Sequence, residues 1–161
     1  MPEATKYLGK YRGTVVNNVD PMQQGRIQAM VPDVLGDTPC TWAMPCLPLA
    51  GPQTGVYVVP VVGAGVWIEF EGGDVSFPIW TGCYWRDGER PQDGAPAVKA
   101  IITRSSHKIL LDDDGETITV TDQNQNQITL DSDGVTLERG GNKVVVSDAE
   151  VNVNDGALEV S

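Results

Sequence analysis

Ile128-Thr129-Leu130-Asp131-Ser132-Asp133-Gly134-Val135-Thr136-Leu137 is the stretch on which the reading of this chain turns. Ile128 and Leu130 flank Thr129, Val135 and Leu137 flank Thr136, and an Asp-Gly pair lies between the two triplets. Apolar–polar alternation with period two marks half-buried strands, and Asp-Gly supplies turn chemistry. Working outward, the same apolar pair at i, i+2 recurs as Ile109/Leu111, Ile118/Val120, Val144/Val146, Val151/Val153 and Leu158/Val160. The pairs follow one another at steps of seven to ten residues, punctuated by Asp114-Gly115, Gly140-Gly141 and Asp155-Gly156. No helical periodicity interrupts them. Short strands of this kind cannot enclose their own apolar faces, and the nearest source of neighbours is further copies of the same chain.

Charge follows the same division. Of the formal net charge of −11, residues 101–161 carry four basic and twelve acidic side chains, net −8, whereas residues 1–85 carry four and seven, net −3. A face that negative repels phosphate, so nucleic-acid binding is not expected there. It does keep a strand-rich segment soluble and discourages edge-to-edge association. The length of 161 residues allows one domain or one domain with an appendage. No apolar run approaches the length of a membrane span, and Met1-Pro2-Glu3-Ala4-Thr5-Lys6 lacks the pattern of a signal peptide. The expectation is synthesis in a cytoplasm without a cleaved export signal.

Residues 1–85 read as a compact β unit. Tyr11, Gly13 and Val15 alternate with Arg12, Thr14 and Val16, and Asn17-Asn18-Val19-Asp20-Pro21 then turns the chain. Ile27, Ala29 and Val31 share one strand face, which Pro32 terminates. Val56 to Val62 is a continuous apolar run with Pro60 inside it, which predicts an edge or bent strand. Val66, Ile68 and Phe70 oppose Trp67, Glu69 and Glu71 on the clearest strand, and Gly72-Gly73-Asp74 leads into Phe77-Pro78-Ile79-Trp80. Five or six short strands with many Gly and Pro between them predict a small barrel, with Val15, Ile27, Ala29, Val31, Val66, Ile68, Phe70 and Ile79 as its core. Residues 86–100 are a polar connector rich in Pro and Gly, and residues 101–161 are the strand repeats. The fold class is all-β.

Candidate chemistry is sparse. Cys40, Cys46 and Cys83 are an odd number, which argues against a disulfide framework and reads as buried thiols. The spacing from Cys40 to Cys46 is too wide for a zinc pair, and His107 is the only histidine, so no metal and no cofactor is assigned. His107 has no nucleophile or acid signature around it and reads as structural, at the junction of barrel and repeats. Asp112-Asp113-Asp114 and Asp131-Ser132-Asp133-Gly134 hint at calcium but fit neither the EF-hand nor the β-roll spacing, and read as solvated turns. Glu69 and Glu71 share a strand face without an evident cleft, so no catalytic residue and no enzyme activity is assigned. Trp42, Trp67, Trp80 and Trp85 are of the type that stacks bases or sugars. The alternative function is therefore a binding module for oligosaccharide or single-stranded nucleic acid on a β-solenoid stalk.

The ordered set Gly25-Arg26-Ile27-Gln28-Ala29-Met30-Val31-Pro32, Trp42-Ala43-Met44-Pro45, Pro60 through Asp74 and Pro78-Ile79-Trp80-Thr81-Gly82 resembles the OB-fold domain of contractile-tail central spikes. That family comprises phage baseplate assembly protein V and the Vgr spikes of type VI secretion. Thr103 to Asp113 resembles the family's entry into its β-helix. The resemblance implies an N-terminal OB-fold barrel followed by an intertwined triple-stranded β-helix needle, as a homotrimer. It implies a structural role in a virion tail or baseplate assembled in the host cytoplasm, where sheath contraction drives the needle through a target envelope.

The trimer core would then be the paired residues Ile109, Leu111, Ile118, Val120, Ile128, Leu130, Val135, Leu137, Val144, Val146, Val151, Val153, Leu158 and Val160. Three departures from the family pattern add expectations. The chain has no lysozyme-like insert and no large hub domain ahead of the barrel, which implies a separate hub protein at the OB-fold end. Its end lacks the histidines of an iron-binding tip. A separate PAAR-like tip protein would then meet Leu158, Val160 and Ser161. Phage tails, type VI machines and extracellular injection systems share these motifs, and the short chain without a hub favours a phage baseplate.

Overall fold

The structure, a computed structural model, describes residues 5–160 except the side chains of Glu159 and Val160. The chain forms two compact units that divide between Glu89 and Arg90.

The first unit is a strongly bent sheet of short strands: β1 (Tyr11–Asn17), β2 (Gln28–Met30), β3 (Met44–Pro45), β6 (Gly65–Phe70) and β7 (Pro78–Tyr84). A two-stranded hairpin, β4 (Ala50–Gly51) and β5 (Thr54–Gly55), lies between β3 and β6 in the chain. The sheet order is β2-β1-β6-β7-β3, antiparallel except where β3 runs parallel to β7. Ile27, just before β2, and Ala43, just before β3, exchange both backbone hydrogen bonds (3.2 and 2.7 Å). That pair joins the two outer strands and closes the ring.

Val15, Ile27, Ala29, Val31, Val66, Ile68 and Phe70 are buried inside it, with Cys40, Ala43 and Trp80. Gly13 lies on the same inner side, where an added Cβ would press on the Met30 carbonyl and the Ile68 and Val66 side chains at 3.1–3.3 Å. The entry to Ile27 is fixed by Asp20. Its carboxylate accepts N–H bonds from Met22, Gln24 and Arg26 and pairs with the Arg26 guanidinium at 2.6 Å. That guanidinium, reinforced by the backbone donors, holds the Asp20 carboxyl far below the usual carboxylate range.

Several sequence expectations need correction here. Ile79 is half-buried, and Trp80 takes the core position instead, because Trp80 stands opposite buried Ile68 and cross-strand partners share a face. The Trp80 indole N–H is satisfied by the Gly25 carbonyl at 3.1 Å. Val56 to Val62 forms no strand. Only Val59 packs on the core, Pro60 gives its carbonyl to Asn18, and Tyr57 and Val58 stay about 70% exposed. Of the three cysteines only Cys40 is buried. Cys46 follows β3 in an open segment, and Cys83 lies past the bulge that puts an extra residue into β7. Pro32 starts a four-residue helix, α1 (Pro32–Leu35), where its missing N–H is not needed. Glu71 lies beyond β6, in a 3-10 turn, so it does not continue the strand face of Glu69.

The second unit is one eight-stranded antiparallel meander: β8 (Val98–Ile102), β9 (Lys108–Asp112), β10 (Thr117–Thr121), β11 (Gln127–Asp131), β12 (Gly134–Arg139), β13 (Asn142–Val146), β14 (Val151–Val153) and β15 (Leu158–Val160). Every strand pairs with its neighbours in sequence. β8 begins at Val98, within the segment read as connector. The turns reuse one device: Asp112, Asp122 and Asp131 each accept two following backbone N–H groups through Oδ1. Gly134 has φ +134°, and a Cβ there would run into the Val146 carbonyl oxygen.

Gly134→Ala should therefore force the β12–β13 ladder apart and destabilise the second unit by roughly 1–3 kcal/mol or more. Circular-dichroism melting would show it, and an unchanged melt would contradict the placement of that turn.

Candidate functional site: an uncovered apolar sheet face

Antiparallel register decides which side chains stand together. Directly opposite residues share a face, and the seven apolar pairs are opposite one another strand after strand. One row runs Leu111, Ile118, Leu130, Val135, Val146, Val151, Val160, and the other runs Ile109, Val120, Ile128, Leu137, Val144, Val153, Leu158. The backbone of Val160 belongs to this register, but its side chain and the whole of Ser161 lie outside the described residues.

The rows are uncovered. Exposure runs from 37% at Val135 to 59% at Leu158, with only Val144, Val151 and Val153 more sheltered. Along the second row Ile101, Ile109, Val120, Ile128, Leu137 and Val144 form the floor of an open, almost wholly apolar groove of about 700 Å³. The opposite face is different in kind: its central row is Leu110, Thr119, Thr129, Thr136, Val145 and Asn152. A monomer rarely leaves a contiguous apolar strip of this kind to water; such strips mark sites of association.

Ile101 is 65% exposed and extends the second row onto β8 in register with Ile109. Sequence reasoning missed it because its i−2 neighbour is Lys99, so no apolar pair marks the strand. The cross-strand match to Ile109 was the available signal.

The remaining candidates gather into no second site. His107 lies in the Thr103–His107 turn between β8 and β9, where its N–H bonds the Thr103 hydroxyl at 3.1 Å. Glu69 pairs with Lys10 at 2.6 Å. Trp67 is tilted against Tyr84, and the Arg12 guanidinium lies over both rings at 5.1 and 4.8 Å. Trp42 carries Arg26, Trp80 is core, and Trp85 alone of the four tryptophans is widely exposed. The planar surface that base or sugar stacking requires is thus largely occupied within the chain. Among the described residues no group of three or more His, Cys, Asp or Glu is placed to hold a metal ion.

Two comparisons bear on these units. Residues 11–85 match the type VI secretion system/phage-baseplate injector OB domain, and residues 99–159 match the phage baseplate V C-terminal trimerisation domain. No curated protein matches the chain. The two matches together define a class: an injector OB barrel carrying its own trimerisation domain. The chain belongs to the phage baseplate V family of contractile-tail spikes, a family of structural baseplate proteins, and it is a homotrimer through its C-terminal unit.

Within that unit the turn after β10 titrates. Asp122 is held at a pKa of about 2, against an ordinary 3.8, chiefly by the Asn126 backbone N–H and then by the Asn126 side-chain amide at 2.6 Å. A depressed carboxyl stabilises the fold fully above 3.8 and loses that contribution as pH falls through about 2. The stability gap between wild type and Asp122→Asn, measured by urea unfolding, should narrow steadily from about pH 5 to about pH 2. A gap that stays flat over that window would show that the carboxylate does not hold the turn.

Proposed function

We infer that the chain is the central spike of a contractile injection machine, most closely that of a phage tail baseplate. The two-row apolar face of the trimerisation unit carries this reading. Three copies turn their faces to one axis and remove the rows from water, which supplies the hydrophobic stabilisation the single sheet lacks. Consecutive strands already share their ladders within each chain, so the three sheets meet through side chains. The twist of each sheet winds them into the triple-stranded β-helix that the family resemblance implies.

The resulting core residues are Ile109, Leu111, Ile118, Val120, Ile128, Leu130, Val135, Leu137, Val144, Val146, Val151, Val153, Leu158 and Val160, with Ile101 added at the β8 end. A dry, close-packed core resists compression, as a needle pushed through an envelope must. In this reading the OB unit docks on a separate hub protein. A tip protein meets Leu158, Val160 and Ser161, and contact with the target envelope is transient.

Light scattering on the full chain should give the trimer mass. Val144→Asp places a charge in the core of each copy, costs on the order of 4 kcal/mol or more per copy, and should leave monomer or aggregate. Thr129→Asp, on the opposite face, should leave the trimer intact. A monomeric wild type, or equal tolerance of the two variants, would sink the reading.

A further inference from the structure

The meander sorts its charges by edge. Turns on the Leu111–Val151 side carry Asp112, Asp113, Asp114 and Glu116 after β9 and Asp131 and Asp133 after β11. The β13–β14 turn on that side adds Asp148 and Glu150. Among the described residues of the strands and turns on this edge the one cation is Lys99, which pairs with Asp113.

Arg104, Lys108, Arg139 and Lys143 all stand on the other edge, at the β8–β9 and β12–β13 turns. The carboxylates there are already engaged. Asp93 pairs with Lys108 at 2.8 Å and Asp155 with Lys143 at 2.6 Å. Asp122 is held by its own turn, and Glu138 stands opposite Lys143 across the ladder. Among the described residues Arg104 and Arg139 have no carboxylate partner in their own chain. Asp112 and Asp131 on the acidic edge are likewise held by their own turns, so its surplus anions are Asp114, Glu116, Asp133, Asp148 and Glu150, against two spare guanidiniums on the other edge.

Three-fold rotation makes a heterologous contact: one edge of each copy meets the opposite edge of the next. We propose that the trimer closes edge to edge, with the acidic turns of one protomer receiving the free arginines of its neighbour, and with Arg139 as the central cation of each seam. The inference rests on the trimeric reading above and goes beyond it by specifying which surfaces touch and in which sense. The axial levels agree. Arg139 ends β12, one strand from Asp131 and Asp133 on one side and one strand from Asp148 and Glu150 on the other. With strands about 4.8 Å apart, both lie within an arginine's reach. Copies in parallel and in register are favoured. An inverted copy would set acidic edge against acidic edge, so the seam selects orientation more than it adds strength.

The test is directed crosslinking in the full chain with Cys46→Ser and Cys83→Ser, Cys40 being buried. Asp133 and Arg139 stand at opposite ends of β12, roughly 20 Å apart at about 3.3 Å per residue. A disulfide between cysteines at these sites cannot close within one chain. Oxidised Asp133→Cys/Arg139→Cys, or Glu150→Cys/Arg139→Cys, should run as a covalent trimer on a denaturing gel, with each single variant running as monomer. Separately, Arg139→Glu should speed subunit loss from the trimer by about tenfold, the effect of three exposed pairs, and Asp133→Lys with Glu150→Lys should restore it. Covalent dimers only, or no crosslink in a chain that still scatters as a trimer, would overturn the seam while leaving the spike reading intact. A monomeric parent chain would overturn both.

Discussion

Cross-strand register is the constraint on which the second unit depends. In an antiparallel meander each side chain stands beside the one opposite it, and fourteen apolar residues fall into two rows because the turns never slip the register. A slip of one residue would send a whole pair to the threonine face. The Asx turns of Asp112, Asp122 and Asp131 and the positive φ of Gly134 are therefore more than local decoration. They keep one face apolar from β9 onward, and so make the chain dependent on its own copies.

The OB unit meets the opposite problem, an apolar surface that must be closed within a single short chain. It does so by bending until β2 and β3 meet through Ile27 and Ala43, which leaves ten of the described hydrophobic residues buried inside the ring. The bulges in β1 and β7 supply part of that curvature, since an extra residue bends a strand and increases its twist. The bulge in β7 also shifts residues near the strand's end, which is where the thiol of Cys83 is left exposed.

What the sequence made legible follows from this contrast. The repeats could be read because period two, acidic turns and apolar pairs coincide on every strand but β8, where Lys99 stands in the place of an apolar partner to Ile101. The barrel strands were recognisable, yet the phase of β7 was not. Ile79 and Trp80 are both apolar, and only pairing with Ile68 decides between them. The Val56–Val62 run has the composition of a strand, but among the described residues its backbone is tied only at single points, such as the Val56 N–H on the Leu49 carbonyl, and joins no ladder. The sorting of arginines and carboxylates to opposite edges was invisible for another reason. Which side of a meander a turn occupies depends on counting strands, and the count is fixed only once every strand is placed.

Because every strand of the meander pairs only with its neighbours in sequence, the sheet behaves as a one-dimensional array. Removing or adding a single strand would reverse the side on which all later turns fall and exchange the two edges. Removing or adding two strands, one complete hairpin, leaves both the apolar rows and the edge polarity in phase. The length of the trimerisation unit can therefore change in hairpin steps without redesign of the remainder, in increments of about 10 Å.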